Sequence, residues 1–389
     1  MIDRLKSAQL PFGCEAFADE NSSIYMNTFI RKWSDSINDF TFVLVLAGSR
    51  TAEIEGISWA GATPEARRHT AIADAELLLN GPLNRQDWPL PELPAGVSPA
   101  LISYVAKCFL DVNPYVVVSG LEHSPPFSHL LIDKLSLGPA NCLSTGKAMS
   151  TDRVKTLWRA GFLMGLNLEK PLLLAECVPG GTTTAHAVLS GIGLDVADLI
   201  SGSVLNPPVA LKKKLVDRGL HAACLGENPS PIQLLAAIGD PFQAIAVGLL
   251  LGARSAGQPV LLGGGSQMLA VLALALVETA PSLRADFVTE IAIGTTSWLA
   301  KEAHYLDKSQ SSFIKLMNVV SDYFEVSLLG FASGLRFHES TKKVLRDYEL
   351  GYVKEGVGAG ALTFLAQLKG ISSETLVDAC ELAVDQLEL

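Results

Sequence analysis

One recurring pair of features constrains this chain most: a short run rich in Val, Ile and Leu, then a turn of Gly, Ser and Thr. Phe42–Ala47 (FVLVLA) runs into Gly48-Ser49-Arg50-Thr51, and Tyr115–Val118 into Ser119-Gly120. Leu172–Ala175 leads into a longer turn, Glu176-Cys177-Val178-Pro179-Gly180-Gly181-Thr182-Thr183-Thr184. Val260–Leu262 precedes Gly263-Gly264-Gly265-Ser266-Gln267, and Ile291–Ile293 precedes Gly294-Thr295-Thr296-Ser297. Runs apolar on both faces fit strands buried on both sides. Helical patterns lie between them, near 66–80, 98–111, 151–166, 182–191, 208–219, 231–254 and 266–279. The alternation predicts an α/β fold: a mostly parallel sheet covered by helices on both faces. Ligands of such sheets sit beyond the carboxyl ends of the strands. Taken singly, each turn reads as a short connection and a helix cap. Taken together, they predict one shared ligand edge.

Composition narrows the class. Hydrophobic residues make up 49% of the chain and charged residues 18%, too apolar for a disordered chain. Met268–Val277 is the longest membrane candidate and covers about half a membrane span. The wider stretch 242–277 carries Arg254, Ser255, Gln258 and Gln267, so a buried core is expected, with no membrane partner. Met1–Gly13 lacks the apolar stretch of a secretory signal. The cysteines are scattered without a CxxC pair, and the histidines show no HxxxH or HExxH spacing. We therefore expect a reduced, cytoplasmic chain with no disulfide framework and no metal. The net charge of −10 argues against nucleic acid but leaves room for a small anion held by backbone amides.

The chain ends differ from the middle. Met1–Trp33 is more polar, and Lys301–Lys343 is rich in polar and charged residues around one apolar run, Val326–Phe331. This predicts a large α/β nucleotide-binding domain over 36–300. A smaller, mainly helical domain would form from 1–35 plus 301–389, with both termini contributing.

Four segments could carry chemistry. In 176–184, glycines allow close backbone approach, and a threonine run opens a helix whose free amides would hold a phosphate or carboxylate. It is neither a Walker motif nor a GxGxxG. In Lys354-Glu355-Gly356-Val357-Gly358-Ala359-Gly360, Glu355 could act as a general base, or simply favour a helix N-terminus. In Lys212-Lys213-Lys214, one lysine could meet a phosphate, or the run could be a solvated helix face. The segment from Glu53 to Glu65 could line a pocket, with Trp59 either there or in the core.

In order and wording these segments resemble the nicotinate-nucleotide–dimethylbenzimidazole phosphoribosyltransferase family. Glu55-Gly56-Ile57-Ser58 is similar to that family's EGVS segment, and Glu176–Ala185 to its GEMGIGNTTSA loop. Ile238-Gly239-Asp240 to Ala246 resembles GGxDIAAMAG, and Pro259–Gly264 resembles PVLLDGF. Glu355-Gly356-Val357-Gly358-Ala359 resembles EGTGA. The blocks keep the family's order from about residue 41 to about residue 370.

The resemblance implies a Rossmann-like sheet, no cofactor, a homodimer, and a role in cobalamin synthesis. It also implies a reaction: an azole nitrogen of an aromatic base attacks ribose C1′ of nicotinate mononucleotide, nicotinate leaves, and an α-ribotide forms. Glu355 would take the azole proton, and Glu176 would stabilise the oxocarbenium-like ribose or hold a ribose hydroxyl. Gly180, Gly181, Thr182 and Thr183 would hold the phosphate with Lys214, in a register open by one or two positions. Gly263, Gly264, Gly356 and Gly358 would line the nucleotide, and Ser49, Arg50, Glu55 and Ser58 the base pocket.

The departures are specific. Gly48-Ser49-Arg50 stands where the family has Asp-His-Gly, and Ser58-Trp59-Ala60-Gly61 where it has SAYP. Gly263 and Gly265 replace an Asp and a Phe, Gly181 replaces an Asn, and Glu302–Phe331 resembles an insertion. These changes mark a divergent branch. They leave the acceptor open among dimethylbenzimidazole, adenine and a phenol, and they allow a nucleotide-binding or regulatory homologue without the chemistry.

Overall fold

The computed structural model describes residues 3–5, 10–84, 88–90, 92–202, 204, 207–304 and 311–387. Among the described residues nine strands form one sheet: β1 (Asp3–Leu5), β2 (Glu15–Ala18), β3 (Thr41–Ala47), β4 (Tyr115–Ser119), β5 (Leu130–Leu131), β6 (Leu172–Cys177), β7 (Val260–Gly263), β8 (Ile291–Thr295) and β9 (Leu329–Ala332). Their order is β1-β2-β9-β8-β7-β6-β3-β4-β5. From β9 to β5 all neighbours run parallel; only β2 on β9 and β1 on β2 are antiparallel. The sheet grows outward in both directions from the β3–β6 boundary, which makes that boundary the topological switch point.

The alternation of strand side chains explains the two covering layers. Val43 and Val45 of β3, Leu172 and Leu174 of β6, and Ile291 and Ile293 of β8 point into one apolar core. Phe42, Leu44, Leu46, Leu173 and Ala292 point into the other. Helices Thr151–Leu166, Gly181–Ile192 and Pro241–Ser255 pack in the first core. Helices Pro64–Asn80, Ala100–Leu110 and Ala359–Leu368 pack in the second. The five strands expected from the sequence are all present.

The helix expected over 231–254 is two helices, Pro231–Ile238 and Pro241–Ser255. Asp240 breaks it by capping the second helix: its carboxylate accepts the Gln243 N–H at 3.0 Å, and Gln243 accepts the Asp240 N–H at 3.1 Å. Pro241 follows at the first helical position, where its missing N–H costs nothing. The terminal segments expected to make the smaller unit do supply helices, Glu20–Asp35 and Ser373–Leu387 among them. They also supply β1, β2 and β9 to the main sheet, so hydrogen bonds of one sheet cross the boundary expected at residue 300.

Candidate active site

The carboxyl ends of β6, β7 and β8 open onto a cleft made of two adjoining cavities. The larger reaches from Gly202, Pro208 and Lys212 at one end to Thr70, Asp74, Leu93 and Ser98 at the other. The smaller lies over Gly265-Ser266-Gln267, with Phe313 and Leu316 in its wall. Both are bordered by Glu176, Thr182, Gly202, Val353, Glu355 and Gly356. Their empty space, about 1060 and 580 Å³ counting the part open to solvent, is of the size that holds small molecules.

Glu355 stands at the junction. It follows a sharply folded loop and precedes the helix Ala359–Leu368. One carboxylate oxygen, Oε2, accepts the Thr296 N–H at 2.8 Å and the Thr295 hydroxyl at 3.0 Å. The other, Oε1, accepts the Gly356 N–H at 3.0 Å and the Gly360 N–H at 3.3 Å. Burial pushes its pKa up to about 7, against the pull of these donors. Glu176, at the end of β6, is raised to about 8 by burial and then by the carboxylates of Asp240, Glu355 and Asp74. Near neutral pH, Glu355 is poised to exchange a proton, and Glu176 is largely a neutral acid that can donate a hydrogen bond.

The loop before the base is strained. Val353, Lys354 and Val357 have φ of 61°, 60° and 53°, a region that β-branched residues avoid. Contacts from several segments hold it. Lys354 Nζ donates to Gly202 O at 2.8 Å and pairs with Glu302 at 2.5 Å. The Val357 N–H reaches Glu176 O at 3.2 Å.

An anion site lies at the other end of the larger cavity. Gly180, at φ 78°, turns the chain into the helix Gly181–Ile192 in a conformation glycine adopts without strain. Lys212 is buried and donates to the Thr182 hydroxyl at 2.9 Å and to Ser201 O at 2.8 Å. Burial lowers its pKa to about 7, with the nearby Lys354 lowering it further and Glu302 opposing. A buried cation beside a helix N-terminus suits a phosphate, which would also restore the lysine's charge. Behind it, Asp240 accepts hydrogen bonds from Thr184 and Gln267 and fixes this turn to the β7 turn.

Comparison with known proteins identifies the chain's relatives. A UPF0284 protein of Prochlorococcus marinus strain MIT 9313 is 58% identical over 378 residues, covering 97% of this chain and 94% of that protein. A UPF0284 protein of Parasynechococcus marenigrum strain WH8102 is 53% identical over 378 residues, covering 97% of this chain and 95% of its own length. The chain belongs to the UPF0284 protein family. Its residues 102–289 match the family model described as Phosphoribosyltransferase. The match is thus to transferase enzymes, as the motifs led us to expect. Among solved structures, the chain shares its fold with CobT from Thermus thermophilus, at TM-score 0.56 and 17% identity, with 92% of this chain and 96% of that one covered. A second Thermus thermophilus structure, titled as a nicotinate-nucleotide–dimethylbenzimidazole phosphoribosyltransferase, gives TM-score 0.55 and 17% identity over 94% of this chain and 96% of its own. The resemblance read from the motifs is borne out by the family-model match over 102–289 and by the shared fold, and the chain, with its UPF0284 relatives, is a divergent branch.

The structure sorts the expected site residues. Glu355, Glu176, Gly180, Gly181, Thr182, Gly356 and Ser58 line the cleft. Thr183 is fully buried in the helix behind the turn. Lys214 lies on the exposed helix face, and Lys212, two residues earlier, is the lysine that enters the cleft. Gly263 and Gly358 serve close packing: a Cβ on Gly263 would meet Ala361 at 3.0 Å, and one on Gly358 would meet Ala175 at 2.7 Å. Gly264 is buried beside them, and Gly265 borders the smaller cavity instead. Ser49 caps a short turn by accepting the Thr51 N–H at 3.2 Å and lines a separate small hollow. Arg50 pairs with Glu53 and Glu122 on the surface, and Glu55 is exposed. The turn Gly294–Ser297, expected at the ligand edge, supplies Thr295 and Thr296 to hold Glu355, while sequence reading missed Thr70, Asp74, Ser98 and Gly202. Each is a common polar or small residue that only the fold brings to the cleft. Among the described residues there is no His, Cys, Asp and Glu grouping suited to a metal, and no helix long and apolar enough to cross a membrane.

Proposed function

We propose that this protein transfers the phosphoribosyl group of nicotinate mononucleotide to a ring nitrogen of an aromatic base, giving an α-ribotide and nicotinate. The carrying observation is Glu355, a carboxylate held by four donors at the junction of two cavities, with a pKa near neutrality. An azole that attacks ribose C1′ must lose its N–H proton, and a fixed carboxylate in a partly desolvated cleft is a suitable acceptor. The donor's phosphate would sit against Lys212 and the first amides of the helix Gly181–Ile192. This directs the ribose toward Glu176 and Glu355. Protonated Glu176 would hold a ribose hydroxyl, and ionised Glu355 would stabilise the cationic ribose as the bond to nicotinate breaks. The pyridinium leaves as a neutral ring nitrogen and requires no acid. By analogy with the similar Thermus thermophilus enzyme, the acceptor would be dimethylbenzimidazole or a related lower-ligand base of cobalamin synthesis. We further expect a homodimer, which the family resemblance implies, and a cytoplasmic location, which the scattered cysteines suggest.

The test is incubation of purified protein with nicotinate mononucleotide and a panel of aromatic bases. Nicotinate release and a base-ribotide of the expected mass should appear together. Tight nucleotide binding with no release for any base would assign the protein to nucleotide sensing instead.

A further inference from the structure

Of the five tryptophans, four are placed by packing and one is not. Trp33 and Trp298 are buried against aromatic rings, Trp88 lies beside His69 and His123, and Trp158 packs on the first core. Trp59 joins neither core and, among the described residues, has no ring partner and no hydrogen bond to its indole. It is 40% exposed and borders the larger cavity. A single apolar residue on an open surface needs no explanation, but an unpartnered indole in a cavity wall is placed to cover a ligand.

The loop that carries Trp59 is fixed from within. Arg67, 4% exposed, donates to Ala52 O at 2.5 Å, to Ser58 O and Gly61 O at 3.1 Å each, and to Ile54 O at 3.3 Å. Thr70 donates to Ala60 O at 2.5 Å, and the Ala60 N–H reaches the Ser58 hydroxyl at 3.2 Å. The backbone on both sides of Trp59 is thus held, and its side chain is left at the cavity wall. The Thr70 contact puts that wall at the end away from Lys212. Leu93, Pro94, Ala95 and Pro99 make the same end apolar. Their segment is held as well: Asp347 accepts the Gly96 N–H at 3.0 Å, and Tyr348 donates to Val97 O at 2.7 Å.

Charge decides which ring this end takes. Among the described residues its lining includes no lysine or arginine, so the carboxylate of nicotinate would be desolvated there without a cation. A neutral base enters without that penalty. An indole face stacks best on a ring system of similar extent, and stacking acts whatever the edge of the base carries.

We propose that Trp59 is a specificity-determining residue that stacks on the acceptor, and that the acceptor is a neutral, fused two-ring nitrogen heterocycle and not a single-ring phenol. This rests on the cleft being the site of phosphoribosyl transfer to an aromatic base.

The test measures binding of benzimidazole, imidazole and phenol by calorimetry, with ribose 5-phosphate present to fill the phosphate and ribose positions without a ring. The wild-type protein should bind benzimidazole roughly tenfold or more tightly than either single ring. Trp59→Leu, which keeps an apolar side chain, should weaken benzimidazole binding roughly 5- to 150-fold, and Trp59→Phe by less. Affinity for nicotinate mononucleotide should be unchanged in both, and thermal melting checks that both fold. Bound benzimidazole should also change the tryptophan fluorescence of the wild type but not of Trp59→Phe. No benzimidazole binding, no fluorescence change, or equal affinity for one ring and two would overturn the proposal from the wild-type protein alone. Benzimidazole affinity unchanged in a folded Trp59→Leu protein, or donor affinity reduced as much as acceptor affinity, would overturn it as well. Nicotinate release is assayed in parallel with nicotinate mononucleotide and limiting benzimidazole. Binding that depends on Trp59 without release would support its role while refuting the transfer reaction. Release from Trp59→Leu at the wild-type rate would do the reverse, so the two readings fail separately.

Discussion

Replacing Glu355 by Gln tests the centre of the proposed reaction, because the structure fixes both the size and the pH signature of the effect. Glutamine keeps the shape and removes the base. General-base contributions run at 10²–10⁴-fold, so turnover should fall by roughly that factor, or about 3–5 kcal/mol in barrier. With a pKa of about 7, Glu355 is mostly protonated at pH 6 and mostly ionised at pH 8. The wild-type kcat should therefore rise roughly tenfold over that interval. Saturating donor is required, because Lys212 also titrates at about 7 and would weaken phosphate binding as pH rises. Glu176, near 8, is coupled to Glu355, so any high-pH fall belongs to the pair. Stability has its own sign. The folded pKa of Glu355 lies above its ordinary value of 4.5, so the protonated form is the one favoured by folding. That stabilisation is complete below pH 4.5, is lost as pH rises to 7, and is flat above, on the order of 3 kcal/mol in all. The Gln variant lacks this dependence. Its amide must also turn an NH2 toward one of the two donor pairs, at a cost of about 1–3 kcal/mol in stability. The assays are nicotinate release from pH 5.5 to 9 and thermal melting across the same range. A Gln variant that keeps more than a tenth of wild-type turnover, or keeps the rise from pH 6 to 8, would refute the role given to Glu355.

Lys212→Met should raise the KM for nicotinate mononucleotide roughly 10–100-fold with a smaller change in kcat, as expected for loss of a charge-assisted phosphate contact. Lys214→Met, on the exposed face, should leave steady-state kinetics within error, and the reverse pattern would reassign the lysine. Gly360→Ala should destabilise by about 1–3 kcal/mol or more in urea unfolding, although alanine is the better helix former, because its Cβ would lie 1.9 Å from Thr295 C and 2.2 Å from Thr296 N. A stabilised variant would show that the helix does not press on the β8 turn. Asp240→Ala removes a helix cap and leaves the Gln267 amide short of an acceptor in the core, while the Thr184 hydroxyl turns its proton to Gly181 O. About 2–4 kcal/mol should be lost in the same assay, the removal of a buried charge offsetting part of the cost.

The central strands were legible because their signal is local. In FVLVLA and LLLA every residue is apolar, and each run ends in a turn, so composition alone marks a strand buried on both faces. β2 gave no such signal, and the apolar run Val326–Phe331 that holds most of β9 reads with the terminal segments and not with the sheet. Each has four residues, and their pairing, Glu15 with Ala332, joins positions at opposite ends of the chain. Local periodicity carries no information about such a contact. The Asp240 break had a local signal: Asp-Pro-Phe-Gln is a capping box with proline at the first helical position, hidden between two apolar patterns. The choice among three adjacent lysines depends on helix phase. Lys212, Leu215, Val216 and Gly219 are the buried residues of their helix, spaced as one stripe, and Lys214 falls outside it. The end of the larger cavity away from Lys212 was not legible. Thr70, Asp74 and Ser98 sit in ordinary helical and loop contexts, and only the fold brings them to the cavity wall.

The departures from the resembled family now acquire a structural meaning. The segment from Glu302 to Phe331, which read as an insertion, supplies Phe313 and Leu316 to the smaller cavity and Glu302 to Lys354. Lys354 lies immediately before Glu355, in the left-handed conformation, flanked by Val353 in the same region. Residues held this way cost of order 1–3 kcal/mol each and persist only where surrounding contacts over-determine them. Four such contacts converge here: Glu302 and Gly202 on the Lys354 ammonium, the Thr296 hydroxyl on the Lys354 carbonyl, and Glu176 O on the Val357 N–H. They come from the segment that begins at Glu302, from the loop beside the anion site, from the β8 turn and from the end of β6. The strain is therefore held by the same elements that build both cavities, and its product is a carboxylate aimed at their junction. A segment that served only the surface would have no reason to reach the residue preceding the base. This one neutralises a buried lysine there and walls the neighbouring cavity, so the divergence of this branch is built into its site.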